Sequence, residues 1–208
     1  MHSIAASLFA YTTAAALLTI TPGLDTALVL RTAAAEGARR ALWSGLGIVT
    51  GCFVWATIVA VGLGILLVAS RIAYATLRWM GAAYLLYVGV KMLQHPRLNF
   101  IGEAPIRGRN AFLRGALTNL LNPKVGIFYV SFLPQFVPSN VSVAPYTLLL
   151  GAIHGSLGLI WFVLLIAATR RLTGWLCRTS VVRWLDRATG VVFIAFGARL
   201  AVESRHGS

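Results

Sequence analysis

Apolar residues in this chain run on in blocks too long for a soluble helix, and the polar residues gather where those blocks end. Residues 41–70 contain no Asp, Glu, Lys or Arg, and neither do residues 125–169. A helix that crosses the hydrocarbon of a bilayer needs about 20 mostly apolar residues, so the first stretch holds one span and the second more than one. Charges, prolines and glycines divide the rest. The pattern predicts six spans, at about 4–35, 41–69, 72–93, 109–136, 143–169 and 181–202. Residues 4–20 resemble the apolar part of a secretion signal, but Met1-His2-Ser3 puts no Lys or Arg before it and the run continues into Thr21-Pro22-Gly23, so it reads as a retained first span.

The three spans on either side of the loop-rich stretch 95–108 look like weak repeats of each other. Arg78-x-x-Gly81-x-x-Tyr84 in span 3 has a counterpart in Arg187-x-x-Gly190-x-x-Phe193 of span 6, and Gly47-x-x-x-Gly51 in span 2 has one in Gly151-x-x-x-Gly155 of span 5. Spans 1 and 4 are each interrupted by proline, at Thr21-Pro22-Gly23 and Asn122-Pro123-Lys124. An odd number of spans per half makes the second half enter the membrane in the opposite sense. The expected fold is therefore an all-α integral membrane protein of six transmembrane helices, built as two inverted three-helix repeats over 1–94 and 109–208, joined by a cytoplasmic linker at 95–108.

Composition narrows the class further. With 58% hydrophobic residues, 11% charged residues and a mean hydropathy of +0.80, the chain has too little polar surface to cover a water-soluble globule. Its net charge of +13 could suggest nucleic acid, yet the basic residues form no separate polar face; they sit at the ends of apolar runs. Thirteen of them fall on connections 1–2, 3–4 and 5–6, and four (Arg71, Arg78, Arg199 and Arg205) fall on the other side. The richer side should be cytoplasmic, which leaves both termini in the periplasm of a bacterial inner membrane. Trp43, Trp79 and Trp184, near span ends, suit the interfacial aromatic belt.

Candidate chemistry concentrates at the two breaks. A proline within a spanning helix leaves a carbonyl without its donor, which is tolerable in lipid only where protein or a watery cavity supplies one. Each break alone reads equally as a plain kink. Paired breaks in corresponding spans are the sequence pointer to a transporter site near the membrane midplane. Asp25 and Lys124 stand beside them, and among the five carboxylates Asp25 is the one placed inside a span, with Glu36, Glu103 and Asp186 assigned to basic connections and Glu203 to the tail. A central charge costs about 2.5–3.5 kcal/mol on insertion scales, which asks for a partner or a function. Either the two charges pair with each other, or Asp25 attracts a substrate ammonium while Lys124 attracts its carboxylate. Asn119 and Asn122 add amides at the second break, as ligands or as helix caps. His154 lies on the glycine face of span 5, either donating Nε2–H to a backbone carbonyl or relaying protons. The substrate-binding set is therefore Thr21, Pro22, Gly23, Asp25, Asn119, Asn122, Pro123 and Lys124, with Asp25 and His154 as proton-coupling residues.

No catalytic constellation, metal-ligand spacing or cofactor loop is legible. Cys52 and Cys177 lack CxxC spacing and are unrelated by the repeat, which disfavours a membrane thiol-relay enzyme. A purely structural membrane protein, with its breaks as kinks, is the bland alternative. The glycine pairs are expected to let helices approach within one protomer, with a homo-oligomer contact as the other use.

Several of these segments carry a resemblance. Thr21-Pro22-Gly23-Leu24-Asp25, Gly81-Ala-Ala-Tyr84-Leu-Leu-Tyr-Val-Gly89, Leu120-Leu-Asn122-Pro123-Lys124 and Phe132-Leu-Pro134-Gln135-Phe136 resemble the LysE/RhtB family of amino-acid exporters, across essentially the whole chain. The chain looks more like the threonine and homoserine exporter branch than the lysine branch. The resemblance implies efflux of a small amino acid from the cytoplasm, driven by protons or another coupling ion. Leu24 stands where many members have a second proline, which implies a milder first break, and the family has either Asp or Asn at the position of Asp25.

Overall fold

The computed structural model describes residues 4–21, 23–69, 71–95, 110–168 and 178–203. Pro22, Cys177, most of the 95–108 linker and both termini lie outside the described residues. The described chain is helical, with no strand among those residues. Its elements are α1 (Ile4–Ile20), α2 (Leu24–Glu36), α3 (Ala38–Ala69), α4 (Arg71–Gln94), α5 (Ala111–Leu120), α6 (Pro123–Ile127), a π-helical turn (Phe128–Phe132), a 3-10 turn (Leu133–Phe136), α7 (Val143–Ala167) and α8 (Thr179–Glu203).

Local chemistry sets the breaks. Gly37 separates α2 from α3 at φ 90°, a backbone region that side-chain-bearing residues rarely adopt. The Asn110 side chain caps α5 by accepting from the Leu113 N–H at 3.1 Å, and Asn122 caps α6 by accepting from the Lys124 N–H at 3.1 Å, with Pro123 at the first helical position, where a missing N–H is harmless. The fourth predicted span is thus four short pieces. Pro134 cannot continue a helix, and Gln135 folds back to donate its Nε2–H to the Ser131 carbonyl at 2.7 Å. Ser7 of α1 donates to the Phe136 carbonyl and pins the end of this segment.

The 25-residue runs Ala38–Gly62 and Val143–Ala167, with mean hydropathies of 1.9 and 2.2, are each long and apolar enough to cross a membrane. At 1.5 Å per residue each reaches about 37 Å, against a hydrocarbon core of about 30 Å. Helices α1 and α2 together make a third such element, bent by 49° at the Thr21-Pro22-Gly23 break. Among the described residues, length and hydropathy thus single out up to three of the six expected spans. The expected fourth span is broken into short pieces, and α4 and α8 carry charges, such as Arg78 and Asp186, within their lengths. Large side chains face outward along several helices, Phe9 at 77% exposure and Ile160 at 59% among them, as suits a lipid-facing surface.

Helices meet through small residues. A Cβ on Gly47 of α3 would lie 2.0 Å from the Phe112 carbonyl oxygen, and one on Gly115 of α5 would lie 2.0 Å from the Ser44 carbonyl oxygen. On α7, a Cβ on Gly151 would lie 2.4 Å from that of Ala56. Both predicted glycine pairs therefore serve close approach within the protomer. Gly89 of α4 and Gly190 of α8 meet reciprocally, each 2.8 Å from the other's carbonyl oxygen once given a Cβ. At one end of the bundle, Arg114 reaches Glu36 at 2.7 Å and Thr32 at 3.0 Å, and Arg40 reaches Glu36 at 3.0 Å, which ties α2 and α3 to the start of α5.

Two apolar clusters divide the interior. One centres on Tyr11, Phe128, Phe132 and Phe136, where rings stack and meet edge-on at 4.9–5.9 Å between centroids. The other gathers Leu28, Val29, Leu30, Ala41, Ile48, Phe162 and Leu165. Along α3 the second cluster holds Ala41 and Ile48 and the first begins at Cys52; along α7 the first ends at Leu150 and the second begins at Phe162.

Candidate functional site

Between the two clusters lies a cavity of about 50 Å³. Its α3 wall, Ile48, Val49 and Cys52, is at the middle of the Ala38–Gly62 run, and its α7 wall, His154, Gly155 and Gly158, is at the middle of Val143–Ala167. The remaining wall comes from the two helix breaks: Thr21, Gly23 and Asp25 from the first, Asn119, Asn122 and Lys124 from the second. Seven of the nine residues singled out from sequence thus line one space. Of the other two, Pro123 occupies the first position of α6 and Pro22 is outside the described residues.

The breaks are stitched to each other. Lys124 Nζ donates to the Leu18 carbonyl at 3.2 Å and the Thr21 carbonyl at 3.0 Å, so a cation sits on the carbonyl-rich end of α1. Thr21 turns inward, donating both its N–H, at 3.1 Å, and its Oγ1–H, at 2.6 Å, to the Leu17 carbonyl. Asp25 occupies the first turn of α2, where the positive end of the helix favours a carboxylate. Its Oδ2 accepts the Asn119 amide at 2.8 Å, while its Oδ1 is buried with no hydrogen-bond partner among the described residues. These hydrogen bonds run to other partners, while Asp25 and Lys124 attract each other through space.

The two asparagines fill both roles that sequence left open. Asn122 caps α6 and its side chain also acts on the Asp25 carboxylate. Asn119, fully buried, is a side-chain bridge: its Nδ2 reaches both Asp25 and Cys52 Sγ, the latter at 3.6 Å. Its position depends on Gly51, because a Cβ there would lie 2.6 Å from Asn119 Oδ1.

One expectation needs correction and one residue gains a partner. His154 bonds through Nδ1 to the Tyr129 hydroxyl at 3.0 Å, a partner that sequence did not name. Asp186, assigned from sequence to a basic connection because Arg183 and Arg187 flank it, although the sixth predicted span opens at 181, is buried within α8 at 1% exposure. Asp25 is consequently not the only carboxylate withdrawn from water. Tyr129, and Cys52 as a cavity residue, escaped sequence reasoning, since each stands as an isolated polar atom in an apolar run. The signal for Tyr129 is the crowded FYVSFLPQF segment, whose π turn places it against His154; such turns recur at functional positions. No group of three or more metal-ligating side chains occurs among the described residues.

Comparison with known proteins bears on what this site serves. The chain is 33% identical to a homoserine/homoserine lactone efflux protein of Salmonella typhi, over 95% of this chain and 97% of that protein. It is 30% identical to a leucine efflux protein of Klebsiella pneumoniae, over 92% of each, and 29% identical to a threonine efflux protein of Escherichia coli K12, over 88% of this chain and 91% of that one. No solved structure matches. Residues 16–204 match the family described as LysE type translocator, whose members are transporters and not enzymes; the chain belongs to that family.

Proposed function

We propose that this protein exports a small, neutral amino acid from the cytoplasm across a bacterial inner membrane, exchanging it for protons. The observation that carries the reading is the convergence of both helix breaks, with Asp25 and Lys124, on a cavity at the middle of two spanning helices. The efflux activities in the names of the relatives, for homoserine, threonine and leucine, support an amino acid as cargo.

A free amino acid offers an ammonium and a carboxylate on one carbon. Asp25 Oδ1 is the acceptor suited to the ammonium, and the Lys124 ammonium suits the carboxylate. Protons and ammonium compete for the same carboxylate, which is a simple basis for exchange. A cavity of about 50 Å³ holds only a few waters, each needing about 10–15 Å³, so cargo enters when one apolar cluster parts and leaves when the other does. This reading takes the chain as two inverted halves, 1–94 and 109–208, joined by a cytoplasmic linker, with both ends periplasmic. The close pairing of α3 with α7 and of α4 with α8, corresponding helices of the two halves, supports that plan.

The test is efflux from vesicles preloaded with individual amino acids, with and without an imposed proton gradient. Gradient-dependent loss of one or a few neutral amino acids is expected. An absence of flux for the whole panel would leave the breaks as structural kinks.

A further inference from the structure

The charged and amide groups of the cavity lie on the side of the broken helices, and the facing wall from α3 and α7 is, apart from Cys52 and His154, apolar: Ile48, Val49, Gly155, Gly158 and Phe162. An amino acid held by its charged end at Asp25 and Lys124 directs its side chain toward this wall. Its two glycines are not equivalent. A Cβ on Gly155 would press on Val49 at 3.3 Å and Phe53 at 3.4 Å, so that glycine serves packing between α3 and α7. A Cβ on Gly158 would meet only the Phe162 ring at 3.8 Å, an ordinary contact, and would otherwise stand in open space. The Phe162 ring is fixed from behind, because Gly45 of α3 allows it close, with 3.3 Å from a Cβ there to the ring.

We infer that Gly158, backed by Phe162, sets the upper size of the cargo side chain: the missing Cβ at 158 is the space the cargo fills, and the ring closes it. This rests on the exporter reading above. The inference predicts a change of preference, since one methyl group in an apolar pocket discriminates substrates by roughly 10–200-fold.

Wild type, Gly158→Ala and Phe162→Leu would be purified, reconstituted at matched protein content and preloaded in separate vesicles with leucine and with homoserine. For Gly158→Ala the leucine-to-homoserine efflux ratio is expected to fall about 10-fold or more relative to wild type, and for Phe162→Leu it should rise. Ratios unchanged in both variants, or a proportional loss of both fluxes, would overturn the assignment of Gly158. Wild-type vesicles that release no amino acid of the whole panel would overturn the exporter reading itself, and the size filter with it.

Discussion

Lys124 places its ammonium 3.2 Å from the carbonyl of Leu18, the acceptor that residue 22 of an unbroken helix would bond and that a proline at 22 cannot. The first half of the chain creates an unsatisfied acceptor, and the second half supplies the donor. Two features that look independent in sequence, a proline and a lysine 102 residues apart, are one structural device.

That device predicts a double effect for Lys124→Met. Hydrogen bonds from a charged group contribute about 1.5–3 kcal/mol, so the purified protein should lose stability of that order in thermal unfolding. Efflux should fall further than the amount of folded protein in the membrane, because the ammonium also faces the cavity. Undiminished efflux would remove Lys124 from the transport path.

Gly51 gives a prediction that touches neither charge. Gly51→Ala would set a methyl group 2.6 Å from Asn119 Oδ1 and 2.9 Å from its Cβ, forcing that side chain away from Asp25. Efflux per folded molecule should drop by at least 10-fold, while Gly62→Ala on the same helix, with nothing within 4 Å of the new Cβ, should transport normally. Equal activity of the two variants, measured at matched expression, would show that the Asn119–Asp25 hydrogen bond is dispensable.

The charge count of thirteen against four predicts that reporter fusions at Met1 and Ser208 both read out on the periplasmic side. The Glu36–Arg40–Arg114 cluster, which gathers basic residues from connections 1–2 and 3–4 at one end of the bundle, accords with that orientation. A cytoplasmic amino terminus would overturn both the orientation and the six-span plan.

Much of the site was legible in the sequence because its elements are costly in lipid: a proline, a lone carboxylate and a lysine inside apolar runs each demand an explanation from composition alone. The sequence could not reveal which carbonyls Lys124 would take, since that depends on how two breaks 101 residues apart come into register. The places of Tyr129 against His154 and of Cys52 at the cavity were not legible because a hydroxyl or thiol in an apolar run carries no such cost signal. Asp186 was misread for the opposite reason: flanking arginines made a buried position near the start of the sixth span look like part of a basic connection. Helix limits were closely anticipated for α4 and α7, bounded by charge or proline, but α5, α6 and the turns after them were merged into one span, because hydropathy does not register a change of helix type.

The account rests most directly on Asp25, whose Oδ1 is left open in the cavity. Asn at this position keeps the shape and an acceptor oxygen but cannot titrate. The decisive measurement is amino-acid flux in proteoliposomes for wild type and Asp25→Asn, each with and without an imposed proton gradient. The account predicts that the gradient accelerates wild-type efflux, and that Asp25→Asn retains exchange at a reduced rate with no acceleration. An Asp25→Asn protein still driven by the gradient would contradict it and move coupling elsewhere, with the Tyr129-bonded His154 the next residue to test.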